Sequence, residues 1–230
     1  MALAPSAREA RAADELVEAS IDLAGPARLL RQWIPSRANW ARHAAERAGF
    51  ERVRTVYHML RPADAPPLEA RPPDGVRIRP IRPGEEARVL AALNRNWSTT
   101  WGFVPIRLDQ LREDLEGQAE GMLLGVDAAD EDRILATCHA IFDPTDQNPD
   151  GHPRAWISNL TVDPDHRGRG LGRLLLAAAL AHLRQRGAGS VTLGVDGGNE
   201  TPLKLYRSAG FDVISSIDAW DRQLADEQHR

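Results

Sequence analysis

Six residues, Arg167-Gly168-Arg169-Gly170-Leu171-Gly172, restrict the fold and chemistry of this chain more than any other segment. They join a strand-like run, Trp156 to Val162, to a helix-like run, Leu171 to Arg186. Glycine adopts positive φ easily and has no Cβ, so consecutive N–H groups of such a loop can point at one anion. The helix N-terminus adds partial positive charge, and Arg167 and Arg169 can donate charge-assisted hydrogen bonds. The sequence therefore predicts a phosphate or pyrophosphate site, typical of a nucleotide-bearing cofactor.

Two other phosphate-binding patterns match this loop less well. A dinucleotide fingerprint starting at Gly168 needs a third glycine where Arg173 stands, although Asp196 imitates its ribose-binding acid. A P-loop needs Gly-Lys-Ser/Thr, but the single lysine of the chain, Lys204, lies far outside the loop. A third alternative is a structural loop that only ends a strand and starts a helix.

A second motif follows downstream, where Asn199 to Phe211 reads Asn-Glu-Thr-Pro-Leu-Lys-Leu-Tyr-Arg-Ser-Ala-Gly-Phe. Pro202 suits the first turn of a helix capped by Thr201, and Gly210 suits the residue just past its end. The two motifs together resemble the GNAT superfamily of N-acetyltransferases. The resemblance covers roughly Gly75 to the C-terminus and is strong from Trp156 onward.

The resemblance implies acetyl-coenzyme A as cofactor and an α/β GNAT fold, a mixed and mostly antiparallel sheet flanked by helices. Leu160 and Val162 match the strand positions whose N–H groups bind the pantetheine arm and stabilise the thioester oxyanion. Tyr206 matches the proposed general acid that serves the departing thiolate, with a packing aromatic as the alternative. The cofactor-binding residues expected from the resemblance are Leu160, Thr161, Val162, Arg167, Gly168, Arg169, Gly170, Leu171, Gly172, Arg173, Asn199 and Tyr206.

The general base is unassigned, because this chain departs from the family pattern. Family members often carry a carboxylate on the strand before the loop, but residues 155–159 contain none. His139, in the apolar run Ile134 to Phe142, is one candidate, and a water held by Ser158 or Asn159 is another. A lone histidine in an apolar run is more often a structural residue.

Composition indicates an ordinary globular protein of 230 residues, 42% hydrophobic and 27% charged. A net charge of −4 gives no electrostatic footprint for nucleic acid or an anionic membrane. The single cysteine, Cys138, rules out an intrachain disulfide and fits a reducing compartment. Without an 18-residue apolar run or a metal-ligand cluster, we expect a cytoplasmic protein with no membrane span and no metal. The near absence of lysine suggests a GC-rich bacterial gene. The oligomeric state is not indicated.

A proline-rich stretch, Arg61 to Gly75, reads as a linker between an N-terminal segment, 1–73, and a GNAT domain, 74–230. Before it, Ala44 to Val53 echoes Leu205 to Val213 as helix, Gly-Phe, strand. Two-copy GNAT proteins such as mycothiol synthase have this arrangement, which implies that 1–73 is a remnant of a first copy. Chance similarity is the alternative. Ala45 falls where Tyr206 falls, so the remnant would pack rather than catalyse.

The acceptor side is expected in the loop from Asn96 to Pro105, between two helices. Its aromatic residues, Trp97, Trp101 and Phe103, could wall a substrate pocket or plug the core beneath it. The elements predicted around it are strands at 76–81, 122–126, 134–142, 156–162, 190–195 and 212–218, and helices at 85–94, 109–115 and 171–186.

The resemblance implies an enzyme that transfers an acetyl group from acetyl-coenzyme A to an amine by direct attack in a ternary complex. A small-molecule acceptor is favoured, since no peptide-docking signature is visible. One alternative is a non-catalytic coenzyme A-binding or regulatory module, consistent with the missing strand carboxylate. Another is a dehydrogenase, which depends on Asp196.

Overall fold

The computed structural model describes residues 7–23 and 29–224. Contacts between residues group the chain into two compact units. The central unit comprises Leu60–Leu193 and Lys204–Asp212, and the flanking unit comprises Met1–Met59, Gly194–Leu203 and Val213–Arg230. The proline-rich stretch, Arg61 to Gly75, lies entirely in the central unit. The predicted domain division at residue 73 therefore does not coincide with this grouping and stays a prediction.

Helices and strands alternate along most of the described chain. The helices are α1 (Ala7–Leu23), α2 (Asn39–Arg47), α3 (Glu86–Trp97), α4 (Leu108–Leu115), α5 (Leu171–Gln185) and α6 (Glu200–Ser208). The strands are β1 (Leu29–Pro35), β2 (Glu51–Arg61), β3 (Val76–Pro80), β4 (Met122–Asp127), β5 (Ile134–Gln147), β6 (Pro153–Val162), β7 (Val191–Asp196) and β8 (Asp212–Gln223).

Strands of the central unit follow the order β7-β6-β5-β4-β3. The pairs β3–β4, β4–β5 and β5–β6 are antiparallel. The pair β6–β7 is parallel, with Trp156 opposite Thr192 and Ile157 opposite Leu193. A mixed and mostly antiparallel sheet was predicted, and this prediction is confirmed.

Helices cover both faces of this sheet because its strands alternate their side chains between the two faces. On one face, α3 and α4 pack against Met122, Leu124 and Val126 of β4. On the other face, a Cβ added to Gly125 would lie 3.0 Å from the side chain of Leu175 in α5. The leucines along one face of α5 are buried, with Leu171 1% exposed and Leu175 fully buried. Burying each such leucine stabilises the fold by about 2 kcal/mol.

Two strands continue five residues beyond their predicted ends, and β6 begins at Pro153, three residues before its predicted start. Strand β5 continues from Phe142 to Gln147, and β8 continues past Asp218 to Gln223. The added residues are mostly polar, so an apolar pattern does not reveal them. They are held by pairing with partner strands, as in Asp143 opposite Arg154.

The start of α6 also differs from the prediction. The helix begins at Glu200, so Thr201 lies inside the first turn and the N-cap assignment to Thr201 was wrong. Asn199 directly precedes the helix, and its carbonyl accepts a hydrogen bond from the Leu203 N–H at 3.4 Å. Asparagine is a favoured residue at this position, which explains the earlier start.

The flanking unit has its own apolar core. Strands β1 and β8 pair antiparallel, from Leu29 opposite Gln223 to Pro35 opposite Ile217. Across this pair, Arg31 binds Asp221 through two hydrogen bonds of 2.7 and 2.8 Å. The core beneath consists of Val17, Ile34, Ala44, Ala45, Phe50 and Trp220.

The helix–Gly–Phe–strand echo is also present in the backbone geometry. Gly49 after α2 and Gly210 after α6 have φ of 78° and 84°. The Phe50 N–H donates to the Ala45 carbonyl at 2.9 Å, and the Phe211 N–H donates to the Tyr206 carbonyl at 3.0 Å. Both helices thus end in the same Schellman-type turn. Descent of residues 1–73 from a second family copy stays a prediction.

Candidate active site

The glycine loop, Arg167–Gly172, combines left-handed backbone with open space. Gly168 and Gly170 have φ of 77° and 79°, and Gly170 directly precedes α5. Among the described residues, no heavy atom outside their chain neighbours lies within 4 Å of a Cβ placed at either glycine. Their conformation, rather than packing, therefore requires glycine, and a ligand can approach the backbone here.

Gly172 serves a different purpose. A Cβ added at this position would lie 3.4 Å from the Leu205 side chain of α6 and 3.8 Å from Val162 of β6. It therefore lets α5 pack closely against both elements. The first amides of α5 have no acceptor within the helix, because the Leu174 N–H makes the first bond, to the Gly170 carbonyl at 3.0 Å. An anion in front of α5 would satisfy them.

Two arginines lie in the loop, Arg167 and Arg169, and a third, Arg173, follows it. Arg167 donates to the Val162 and Asn96 carbonyls, both at the long distance of 3.4 Å. Arg173 donates to Ser208 Oγ at 3.2 Å, and Arg169 is exposed. These contacts are weak enough for an incoming phosphate to compete for the guanidinium groups.

Asp163 anchors the chain where β6 leads into the loop. Its carboxylate is 2% exposed, accepts the Asp165 N–H at 3.0 Å and is bound by the Arg95 guanidinium. Its own N–H donates to the Leu135 carbonyl at 2.9 Å. The sequence reasoning did not single out Asp163, although an aspartate followed by Pro164 is a recognisable turn signal.

Strand β6 contains a β-bulge next to the predicted pantetheine-binding residues. Thr137 of β5 lies opposite Thr161, whereas His139 lies opposite Ser158, so β6 has one residue more than β5 between these pairs. Within the bulge, Asn159 has φ of 49°. Asparagine is one of the few residues that tolerate this region.

The bulge determines which way the following amides point. The Asp163 N–H bonds to β5, and hydrogen-bonded pairs alternate along an antiparallel ladder. The N–H of Val162 therefore points away from β5, to the edge of β6 where β7 pairs with Trp156 and Ile157. Leu160 and Val162 are half-buried, and Thr161 between them is buried.

Tyr206 lies on α6 and is 7% exposed. Its ring meets the Phe211 ring edge-on, with centroids 5.9 Å apart. Burial raises the pKa of the Tyr206 phenol well above its usual value, with a smaller contribution from Cys138. The phenol is therefore neutral at physiological pH and keeps the proton that a general acid needs.

His139 is fully buried on β5. Its Nε2 lies 3.2 Å from the Gln118 carbonyl, which makes Nε2 the protonated nitrogen and leaves the Nδ1 lone pair without a hydrogen-bond partner among the described residues. Burial lowers the pKa of His139. A neutral imidazole can accept a proton, but an acceptor amine would have to reach this buried ring. Its role as base stays a prediction.

The lowered pKa of His139 predicts a loss of stability in acid. The unfolded chain, with a histidine pKa of about 6.5, binds the proton before the folded chain does. The free energy of unfolding therefore keeps its full value above about pH 6.5. Below that pH, it falls by up to about 1.4 kcal/mol per pH unit. We expect His139→Gln to flatten the decline of unfolding free energy between about pH 6.5 and 5.5, measured by urea denaturation. The exposed His43, changed to Gln, is the control. Equal slopes for wild type and His139→Gln would contradict the prediction.

The three aromatic residues expected to line the acceptor site differ in their surroundings. Trp97 is the last residue of α3 and packs against the core cluster under α3 and α4. Trp101 and Phe103 lie in the following loop and are half-buried. The contacts of Trp97 are those of a core residue. The substrate-binding role assigned to Trp97, Trp101, Phe103 and Ser158 stays a prediction.

Asn199 is exposed in the flanking unit, and its N–H donates to the Asp196 carbonyl at 3.1 Å. The Asp196 carboxylate is already engaged, by Arg54 at 2.6 Å and by the Gly198 N–H at 2.9 Å. These bonds argue against Asp196 as a free ribose-binding acid, on which the dehydrogenase alternative depended.

Within the described part of the chain, no cluster of three or more His, Cys, Asp or Glu side chains is arranged to hold a metal ion. Over the same residues, no helix combines the length and apolarity needed to span a membrane.

Comparisons with known proteins identify the family. A family model described as "Acetyltransferase (GNAT) family" matches residues 87–211. A mycothiol acetyltransferase from Saccharopolyspora erythraea is 37% identical over 205 residues, which cover 86% of this chain and 64% of that relative. This chain therefore spans less than two thirds of that relative's length.

Solved structures show the same fold. A GCN5-related N-acetyltransferase from Sphaerobacter thermophilus has a TM-score of 0.71 at 23% identity, covering 91% of this chain and 65% of that one. A tandem GNAT protein from the clavulanic acid biosynthesis pathway has a TM-score of 0.64 at 18% identity, covering 94% and 68%. Since the family model spans more than half of the chain, including the glycine loop and Tyr206, this protein belongs to the GNAT family of acetyltransferases.

Proposed function

We propose that this protein transfers the acetyl group of acetyl-coenzyme A to an amine of a small molecule. The observation that carries the proposal is the glycine loop, with φ of 77° at Gly168 and 79° at Gly170 directly before α5. Open space at both Cβ positions leaves room for a pyrophosphate against the backbone. The donors present there, helix amides and arginines, fit the charge of coenzyme A.

Acetyl-coenzyme A supplies a thioester carbonyl that an amine can attack. In our proposal, the amides of α5 with Arg167 and Arg169 bind the pyrophosphate. The outward N–H of Val162, together with that of Leu160, holds the pantetheine arm and the thioester oxygen. A backbone N–H aimed at a developing oxyanion lowers the barrier by about 3 kcal/mol. As the C–S bond breaks, the neutral Tyr206 phenol donates its proton to the departing sulfur, and the proton that the amine loses through the general base restores the phenol.

We infer the class of the acceptor substrate from a similar protein. The Saccharopolyspora erythraea protein is named for mycothiol, and from it we extend to this chain only a small-molecule amine acceptor. The general base in our proposal is a water held by Ser158 or Asn159, since both are half-buried whereas His139 is fully buried.

We also propose that residues 1–73 descend from a first GNAT copy that no longer binds cofactor. Two observations support this: the same Schellman-type turn ends α2 and α6, and the chain resembles a tandem GNAT protein in fold. Ala45 stands where Tyr206 stands in the second copy. A cytoplasmic location in a bacterium fits the single buried Cys138 and the bacterial relative.

The proposal is tested first by binding and then by turnover. Acetyl-coenzyme A at a hundred times its Kd should stabilise the fold by about 2.7 kcal/mol and raise the melting temperature, whereas NAD should leave it unchanged. Thiol release measured over a library of small amines then identifies the acceptor. Stabilisation by NAD and not by acetyl-coenzyme A would overturn the assignment.

A second candidate is a coenzyme A-binding regulatory protein without catalysis. The observation that favours it is the absence of a carboxylate at residues 155–159, combined with the complete burial of His139. Stabilisation by acetyl-coenzyme A without thiol release for any amine, from pH 6 to 10, would favour this candidate. Thiol release would exclude it.

A further inference from the structure

Three buried polar side chains form a hydrogen-bond chain beneath the β6 bulge. Asn96 of α3, Thr137 of β5 and Thr161 of β6 are 3%, 0% and 6% exposed. Asn96 Nδ2 lies 2.9 Å from Thr161 Oγ1, which lies 2.9 Å from Thr137 Oγ1. Thr137 Oγ1 in turn lies 2.8 Å from the carbonyl oxygen of Asn159. The chain therefore ends on the bulge residue that has positive φ.

The direction of these hydrogen bonds follows from counting hydrogens. A carbonyl oxygen only accepts, so the single hydroxyl hydrogen of Thr137 goes to Asn159. The Thr161 hydroxyl must then donate to Thr137, and it accepts from the Asn96 amide. Turning the Asn96 amide over would require Thr161 to donate twice, which one hydroxyl hydrogen does not allow. Donation thus runs one way, from Asn96 through Thr161 and Thr137 to Asn159.

This hydrogen-bond chain connects the bulge with the glycine loop. The Asn96 main-chain carbonyl accepts from Arg167 of the loop, and the neighbouring Arg95 binds Asp163 at the end of β6. The Asn159 carbonyl is held at one end, and the Thr161 side chain is held in the middle. Rotation of the backbone between these two points would break a buried hydrogen bond, and a buried polar group left without a partner costs about 1–3 kcal/mol.

We infer that Thr137 is a positioning residue for the cofactor site, because its hydroxyl fixes the bulge that aims the Val162 N–H away from β5. It touches neither the acetyl group nor the amine. The inference rests on the proposed function, since that N–H matters only when coenzyme A lies against β6. Thr137 lies in the apolar run Ile134 to Phe142, where sequence reasoning considered only His139 as a site residue.

Three variants separate positioning from general packing. Thr137→Val keeps the shape and removes the hydroxyl, and Thr137→Ser restores it. Thr192→Val is the matched control: Thr192 is 6% exposed, and its hydroxyl lies 3.1 Å from the Ala155 carbonyl and 3.2 Å from Asn148 Oδ1, away from the bulge. Each protein is first compared without cofactor by native-state hydrogen exchange of residues 157–163.

We expect these amides to exchange at least about fivefold faster in Thr137→Val, the equivalent of one lost hydrogen bond. Thr137→Ser should stay within about twofold of wild type, and Thr192→Val should leave this segment unchanged. Unchanged exchange in Thr137→Val, or equal acceleration in Thr192→Val, would overturn the inference. This arm needs no cofactor, so it stands apart from the proposed function.

Kinetics with acetyl-coenzyme A form the second arm. In Thr137→Val, kcat/KM for acetyl-coenzyme A should fall about tenfold, and Thr137→Ser should recover most of it. Faster exchange with unchanged kcat/KM would overturn the positioning role. A wild-type protein that neither binds nor turns over acetyl-coenzyme A would instead overturn the proposed function and, with it, this role.

Discussion

Replacing Tyr206 with phenylalanine is expected to lower kcat at least about tenfold while KM for acetyl-coenzyme A stays within about threefold. The ring and its edge-on contact with Phe211 remain, so packing changes little. Only the hydroxyl is lost, which in our proposal protonates the departing thiolate. An interaction made chiefly in the transition state lowers kcat without weakening ground-state binding.

Steady-state kinetics with the acceptor found by thiol release measure this effect. The melting temperature and the coenzyme A affinity of Tyr206→Phe are the controls, and both should match wild type. Because the pKa of Tyr206 is raised, its phenol stays protonated in mildly alkaline solution. We therefore expect no decline of wild-type kcat from ionisation of Tyr206 up to about pH 10. An undiminished kcat in Tyr206→Phe would mean that Tyr206 only packs in the core. Water would then protonate the departing thiolate.

Replacing Gly170 with valine is expected to weaken coenzyme A binding at least about tenfold, the loss of a charge-assisted hydrogen bond. Gly170 has φ of 79°, which a β-branched residue resists. The new side chain would also occupy the open space where the pyrophosphate meets the backbone. Titration calorimetry with coenzyme A measures the affinity, and an unchanged Kd would contradict the loop assignment.

Gly187→Val provides the matched control for Gly170→Val. Gly187 follows the other end of α5, has φ of 92° and also has no neighbouring heavy atom within 4 Å of its Cβ position among the described residues. Both variants therefore carry a similar backbone strain of about 1–2 kcal/mol, and their melting temperatures should fall by similar amounts. Only Gly170→Val should weaken coenzyme A binding. Equal weakening in both variants would mean that strain in α5, rather than the loop, affects the site.

Local features of this protein were readable from the sequence alone. The glycine loop, the helix after it and the Tyr206 helix each depend on residues close together in the chain, such as Gly170 before Leu171 and Gly210 after Ser208. Their dihedral angles follow from glycine chemistry and helix capping. These local patterns were sufficient to predict the family and the mixed sheet.

The position of Asn96, Thr137 and Thr161 against one another required the tertiary structure. Thr161 is 65 residues from Asn96 and 24 from Thr137, so no local pattern connects them. Three other features also required the tertiary structure, because each depends on a neighbouring strand or helix. They are the burial of His139, the bulge at Asn159 and the polar end of β5. The sequence therefore predicted where a cofactor would bind. Only the tertiary structure decided how the β6 backbone is fixed at that predicted site. The hydrogen bonds that fix it join distant segments, and these form only after the sheet is assembled.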